Sequence, residues 1–429
     1  MSKRNRVGAA ACAAVIAIVL SGCTGSGGDG KQTLVFWDQV RNQDQQAAVQ
    51  TLIEEFEEQN PDIDVEVEVY QAQEMDSLAK NALRSQSEPD VIYSEVSTAR
   101  ELFEAGLIEN LGSFAEEFDW SEKGTEEGFA WTTSSSGDLF GVGIDAELSG
   151  VFYNRTLIEE QGLSVPTNVD EMLDFCVQAR EKGFVPYATG AGGAGWIYYF
   201  YLGLPIVNAL GPDGERAFVS HESGAWTDPE IRDALAVIFE DAKEAGCFIS
   251  EMNSLDEAAA YDMLVSGEAL AAMPKFTGDI VQLLKDGPDI DWSFEPFPAL
   301  SADGGQYFQQ GMGSTFAING RSEHKDAAAR FIDFWISGDV PNRLIEEVGW
   351  IPPLSAVDVE SLDVPDLLRE AVTQLVEHGN QTGVSIDLVS SSAFNDLLGR
   401  GGQEAFDGQR TLDSYLEVLQ AAWEDEEPR

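Results

Sequence analysis

The chain has 429 residues, with 76 acidic side chains against 25 Lys and Arg and a formal net charge of −51. A hydrophobic fraction of 43%, with 23 Phe, 10 Tyr and 9 Trp, excludes a disordered polypeptide, and the length calls for more than one core. So acidic a surface repels phosphate backbones, which excludes nucleic acid as a partner.

Residues 1–22 read as an export signal. Lys3, Arg4 and Arg6 precede the apolar stretch Val7–Leu20, which is too short to span a bilayer stably. Leu20-Ser21-Gly22-Cys23 then resembles the lipobox of bacterial lipoproteins, which implies cleavage before Cys23 and a diacylglycerol anchor on its sulfur. Residues 23–32 form the lipidated Cys and a tether, since Thr24–Gly30 has the composition of a flexible linker. Cys176 and Cys247 remain in the mature chain. Export permits a bridge between them, two buried thiols fit equally well, and the pairing stays open.

Thr33–Trp37 reads as a strand and Asp44–Gln59 as a helix with Val49, Leu52, Ile53 and Phe56 on one face, stopped by Asn60-Pro61. Ile63–Tyr70 alternates strictly, as a half-buried strand does. A second helix follows with Met75, Leu78, Ala82 and Leu83, then the strand Val91–Tyr93 and a helix carrying Leu102-Phe103. Strands alternating with amphipathic helices predict an α/β fold with a doubly wound, mostly parallel sheet. Leu139–Ile144 and Val151–Tyr153 read as two buried strands. The polar residues between them, Asp145, Glu147, Ser149 and Gly150, mark a crossing from one lobe to another.

After the crossing the pattern predicts helices over Arg155–Gln161, Asp170–Lys182, Ile231–Ala245, Ser254–Val265, Lys325–Ile336, Pro365–His378 and Leu412–Trp423. Strands are expected at Phe184–Ala188, Ala269–Met273 and Ser314–Ile318, and Trp292–Phe297 leads to Pro298. Gly190-Ala191-Gly192-Gly193-Ala194-Gly195 matches the dinucleotide pattern G-x-G-x-x-G. It lies deep in an exported chain and runs straight into Trp196, Tyr198, Tyr199 and Tyr201. The reading is therefore a loop delivering aromatic rings, with no cofactor. Trp196 and Tyr198 are the expected platforms, and Phe200 and Leu202 the expected core residues.

Several short motifs then fall in order: Phe36-Trp37-Asp38, Pro89-Asp90-Val91-Ile92, Tyr153-Asn154-Arg155, Pro166-Thr167-Asn168, Gly267–Met273, Ala328–Trp335 and Gly349-Trp350-Ile351-Pro352. From about Leu34 to Pro353 the chain resembles extracellular solute-binding proteins of carbohydrate-uptake ABC transporters and is similar to maltose-binding protein. The resemblance implies two α/β lobes of the periplasmic-binding-protein type, joined by about three crossover segments and closing on a ligand. It places residues 33–145 and 277–322 in the N-terminal lobe and 146–276 and 323–429 in the C-terminal lobe, with later crossings near Ala272–Gly278 and Ile318–Lys325. It also implies a carbohydrate ligand, permease subunits as partners, a monomer, and a site on the outer face of the cytoplasmic membrane.

Sugars present C–H faces that flat rings cover and hydroxyls that carboxylates and amides bind. In doubly wound sheets ligands sit at the carboxyl ends of strands. Those rules nominate Trp37 and Asp38 after the first strand, Glu95 after the third, and Asp145 and Glu147 in the crossing. Trp196 and Tyr198, Phe276 after the Ala-Ala-Met strand, Met312 within Gln309–Gly313, and Trp350 complete the set. Asn154 reads as a helix N-cap. His221, His324 and His378 make no metal spacing, and no catalytic motif is present. Two alternatives remain: a secreted carbohydrate-active enzyme with paired carboxylates, and a receptor for a cationic solute such as a polyamine, held by Asp38, Glu95, Asp145 and Glu147.

Overall fold

The computed structural model describes residues 31–426, apart from 41–42, 71, 87, 125, 194, 354–356, 358 and 379–380. The signal segment, Cys23 and the tether up to residue 30 lie outside the described residues. The strands are β1 (Gln32–Gln39), β2 (Ile63–Tyr70), β3 (Val91–Ser94), β4 (Val142–Asn154), β5 (Val185–Ala188), β6 (Ala269–Phe276), β7 (Trp292–Glu295), β8 (Gln309–Ile318) and β9 (Gly383–Val384). They join in the order β2-β1-β3-β8-β4-β6-β5, with β7 on β4 and β9 on β8. Among the described residues no helix is long and apolar enough to cross a membrane.

The β1 sequence explains why both sheet faces must be covered. Leu34 and Phe36 point to one side and Val35 and Trp37 to the other, and all four are buried. Leu34 and Phe36 pack with the helix Gln43–Gln59, while Val35 and Trp37 pack with Met75, Leu83, Ile92 and Val96. The Pro89-Asp90 motif is structural. Asp90 is 1% exposed, accepts the Val35 backbone N–H at 2.9 Å and takes the Ser322 hydroxyl hydrogen bond. It thereby ties the start of β3 to β1 and to the segment after β8. Asn154 and Asn168 cap the next two helices, their side-chain oxygens accepting from Leu157 N at 2.9 Å and Glu171 N at 3.0 Å.

Among the described residues, two strands cross the molecule. β4 is continuous where two strands were expected, because the polar residues between them are absorbed into a ladder with β8. Register shifts flank Asp145, between Gly143 and Asp145 and between Asp145 and Ala146, so the polar residue falls at a bulge. The amino end of β4 and the carboxyl end of β8 belong to the lobe of β1–β3. The carboxyl end of β4 pairs with β6 and β7 in the other lobe. The structure is therefore a two-lobed α/β fold on a mixed sheet, with an antiparallel pair at its centre.

The expected lobe boundaries need correction. Residues after Ala272–Gly278 do not return to the first lobe, since β7 pairs with Val151–Asn154; the return is made by β8. The helix Lys325–Trp335, expected in the C-terminal lobe, packs on the first. Phe331 lies 5.1 Å from Phe36 and 5.2 Å from Phe56 between ring centroids, and Arg330 pairs with Asp62 at 2.7 Å. The next link between lobes comes at Ile351, whose carbonyl accepts from Ala146 N at 2.8 Å.

β9 is held against β8 by a buried acid. Glu215 is 1% exposed and accepts the Val384 N–H at 2.6 Å, while Gln309 Nε2 donates to Val384 O at 2.9 Å. Burial drives the Glu215 carboxyl up from its ordinary 4.5 to about 8, against the opposing pull of the Val384 hydrogen bond and Arg216. In the window from 4.5 to about 8 the folded protein keeps a proton that the unfolded chain has released. Stability from this group is therefore full below the window and is lost as pH rises through it. We expect the melting temperature to fall across that window, and Glu215→Gln, which keeps the acceptor without the charge, to flatten the decline and melt higher at the alkaline end.

Cys176 and Cys247 are paired, with Cα atoms 4.9 Å apart and 71 residues between them in sequence. The bridge fastens the helix Val169–Glu181 to the segment beside β5, where Tyr187 N donates to Cys247 O at 3.1 Å. Closing a loop of that size removes about 4 kcal/mol of chain entropy from the unfolded state. Cys176→Ala with Cys247→Ala should lower the urea midpoint accordingly, and reductant should lower the wild type but leave the double variant unmoved.

Candidate functional site

The Gly-rich run does not cradle a nucleotide. A Cβ on Gly190 would fall 2.2 Å from Asp256 O, so the glycine lets this loop press against the start of the helix Glu257–Val265. The aromatic run that follows is helical, within Ile197–Val219, and not a loop. Helical spacing then sorts its rings. Trp196 and Phe200, one turn apart, stay half-buried, with Phe276 beside them: ring centroids lie 5.5 Å apart for Trp196–Phe276 and 4.9 Å for Phe200–Phe276. Tyr198 falls on the opposite face with Tyr201 and Leu202.

Tyr198 is therefore not a platform. It is fully buried, stands perpendicular to Tyr201 at 5.9 Å and donates its hydroxyl to Asn253 Oδ1 at 2.6 Å. Phe200, expected in the core, takes its place at the surface. Tyr199 lies on the same side. Its hydroxyl is held well above its ordinary value, first by burial and then by Asp387, Glu95 and Asp396. Glu95 comes from the first lobe, at the N-cap of the helix Val96–Glu104, so the field on Tyr199 has sources in both lobes.

Glu147 sits mid-crossing on β4, opposite Gly311 of β8. Its Oε1 lies so close to Gly278 that a Cβ there would be 2.8 Å away. Its carboxyl is pushed well above the usual range by burial, then by Asp145, Asp279 and Glu257. Lys275 faces these acids. Lys275 Nζ lies 3.4 Å from Glu257 Oε1 and 3.6 Å from Asp279 Oδ2. Burial works against the Lys275 charge, but the two carboxylates outweigh it and hold its proton more tightly than usual. The chain from Glu147 through Gly278 to Phe276 and Trp196 is thus continuous at the carboxyl end of β6.

Other nominated residues are packed away. Trp37 is 8% exposed with its ring 4.8 Å from Tyr70, because both faces of β1 are covered. Trp350 is 7% exposed and stacks on Tyr93 at 5.2 Å and 11°. Asp38 is fully buried and Asp145 is 6% exposed. These four shape the walls and offer a ligand little surface. Met312 lies on β8 opposite Ala146, and its side chain is outside the described set.

The lobes also touch directly. Arg100, on the first-lobe helix Val96–Glu104, donates to the carbonyls of Leu388 and Trp131. The neighbouring Glu101 accepts the Ser392 N–H at 3.1 Å. Residues missed from sequence are thus Tyr199, Phe200, Lys275, Glu257, Asp279 and Asp387. A signal existed for two groups: a helical reading of 196–202 separates the rings, and Lys275 is the lone basic residue between Lys243 and Lys285.

A hollow of about 840 Å³ lies elsewhere, at the Asn154 end of β4, bordered by Arg155, Trp292, Glu295, Tyr307, Phe308 and Glu370. Volume alone would favour it for a ligand. Its walls come from one lobe, however, and none of the nominated residues reaches it, so we place the candidate site at the strand ends between the lobes.

The family described as bacterial extracellular solute-binding protein matches residues 41–339, and the chain belongs to that family. It is 22% identical over 353 residues to the multiple sugar-binding protein of Streptococcus mutans serotype c (strain ATCC 700610 / UA159), covering 77% of this chain and 78% of that protein. Among solved structures, a chitin oligosaccharide binding protein superposes with a TM-score of 0.80 at 17% identity, covering 92% of this chain and 99% of the other. The GacH receptor of Streptomyces glaucescens GLA.O, solved unliganded and with acarbose, gives 0.77 at 20% identity, covering 92% and 98%. These structural likenesses establish the two-lobed fold.

Proposed function

We propose that the protein captures an uncharged sugar or oligosaccharide between its lobes and delivers it to the permease of an ABC importer, with no catalysis of its own. The observation that carries this reading is the meeting at one strand-end edge of half-buried rings, Trp196, Phe200 and Phe276, with hydroxyl partners Glu147, Tyr199 and Glu95. Rings cover sugar faces and the polar groups take the hydroxyls. The relatives named for multiple sugars, chitin oligosaccharide and acarbose support a carbohydrate cargo. In this reading Cys23 anchors a monomeric receptor on the outer face of the cytoplasmic membrane, and the segment before β1 is its leash.

A thermal-shift screen of mono- and oligosaccharides tests the function. A sugar present at 100 times its dissociation constant adds about 2.7 kcal/mol of stability. Trp196→Ala and Phe276→Ala should each weaken that sugar by at least about tenfold, while Tyr198→Phe, which keeps the buried ring, should leave binding unchanged. Equal losses in all three variants, or hydrolysis of the sugar, would contradict the proposal. Cys23→Ala should release the protein from membranes into the soluble fraction; retention in the membrane pellet would count against the anchor.

A further inference from the structure

We propose that Lys275 is the specificity-determining cation of the cleft: a tethered occupant of the cage formed by Glu257, Asp279 and Tyr261, which closes that floor to cationic solutes. The inference rests on the binding reading above and sharpens its ligand class.

Carboxylates beside an aromatic ring are what an organic ammonium ion seeks. Glu257 and Asp279 stand within 3.6 Å of Lys275 Nζ, and the Tyr261 ring centroid is 5.8 Å away. Asp145 adds to the negative field around them, and together these acids push the buried Glu147 carboxyl toward its protonated form. Lys275 itself is 5% exposed, whereas the side chain of Glu257 is 47% exposed and that of Asp279 33%. The acids thus reach solvent while the cation that offsets part of their charge is fixed from inside the protein.

Strand geometry explains how one short stretch supplies both features. Successive residues of β6 point to opposite faces. Phe276 turns toward Trp196 and Phe200, and Lys275 toward the helix Glu257–Val265. Gly150 is the β4 partner of Lys275, so the lysine is anchored by the crossing strand itself. A polyamine entering this site would have to displace a covalently attached ammonium ion. A neutral polyol would not, and would meet carboxylates that already hold an ammonium partner. Removing the lysine head while keeping an apolar stem leaves the acids uncompensated, a state that recruits an external cation.

The test compares wild type, Lys275→Met and Lys275→Arg by thermal shift and calorimetry with spermidine as the probe. The wild type and Lys275→Arg should show no response. Lys275→Met should bind spermidine at least about tenfold more tightly than wild type, and lose the gain in about 0.5 M NaCl. Adding Glu257→Gln and Asp279→Asn to Lys275→Met should abolish the response. A folded Lys275→Met that ignores spermidine, or a triple variant that still binds it, would overturn the proposal. Should Lys275→Met not fold, the wild type decides: silence toward spermidine supports the proposal and a salt-sensitive response overturns it. A wild type that answers to no sugar would defeat the preceding functional reading without touching the spermidine readout.

Discussion

The antiparallel pairing of β4 with β8 is the constraint on which the rest depends. Among the described residues these are the strands that have partners in both lobes, and Glu147, Glu95 and Phe276 are placed by one of them or by a strand next to them. The ladder must hold the two lobes in register, and one buried cluster runs along it from Phe36 and Phe331 in the first lobe to Phe152 and Phe294 in the second. It must also carry polar side chains that no core would accept. The bulge at Asp145 meets both demands: it changes the register locally, keeps hydrogen bonding on either side, and lets Glu147 fall at the junction. β9, fixed by Glu215, continues the sheet on the other side of β8 and stiffens the same crossing.

Charge follows from that placement. A chain with three times as many acids as bases can scatter most of them over a solvated surface, where each costs little. At the junction they are drawn together, and burial sharpens their repulsion. The protein answers with Lys275, rather than with separation, and holds the Glu147 carboxyl toward its neutral form. A floor built in this way offers hydrogen bonds with part of its negative charge already offset, which suits ligands that carry hydroxyls and no charge. The rings on the neighbouring helix supply the apolar half of the same recognition.

Much of this was legible in the sequence, and the reasons for the exceptions are physical. The alternation of Ile63–Tyr70 marked β2 to its ends, and Asn154 announced its helix because its side chain has only a local job to do. The two-lobe plan was readable from the order of motifs. The lobe of the helix Lys325–Trp335 was not, because an amphipathic face says that a helix is buried and not against which sheet. The helix beginning at Ile197 was hidden by Pro205, Gly211 and Pro212, residues that argue against helix, and Gly211 does break it. The helix Ser392–Phe406 was hidden by Gly399, Gly401 and Gly402, poor helix formers. They are needed because Tyr198 and Tyr415 lie on that helix so closely that a Cβ would come within 2.5 Å of a ring at Gly402 and 2.4 Å at Gly401. The site suffered in turn, since reading 196–202 as a loop chose Tyr198 over Phe200. The cage around Lys275 joins residues from three places in the chain, and one sequence cannot show that they meet.

The central claim is that two lobes, hinged on β4 and β8, enclose the ligand between them. Small-angle X-ray scattering of the protein, free and saturated with a sugar whose binding calorimetry has established, tests it most directly. The account predicts a smaller radius of gyration and a more compact profile in the bound state. Full saturation with an unchanged profile would contradict it and would direct attention to the hollow beside Arg155 instead.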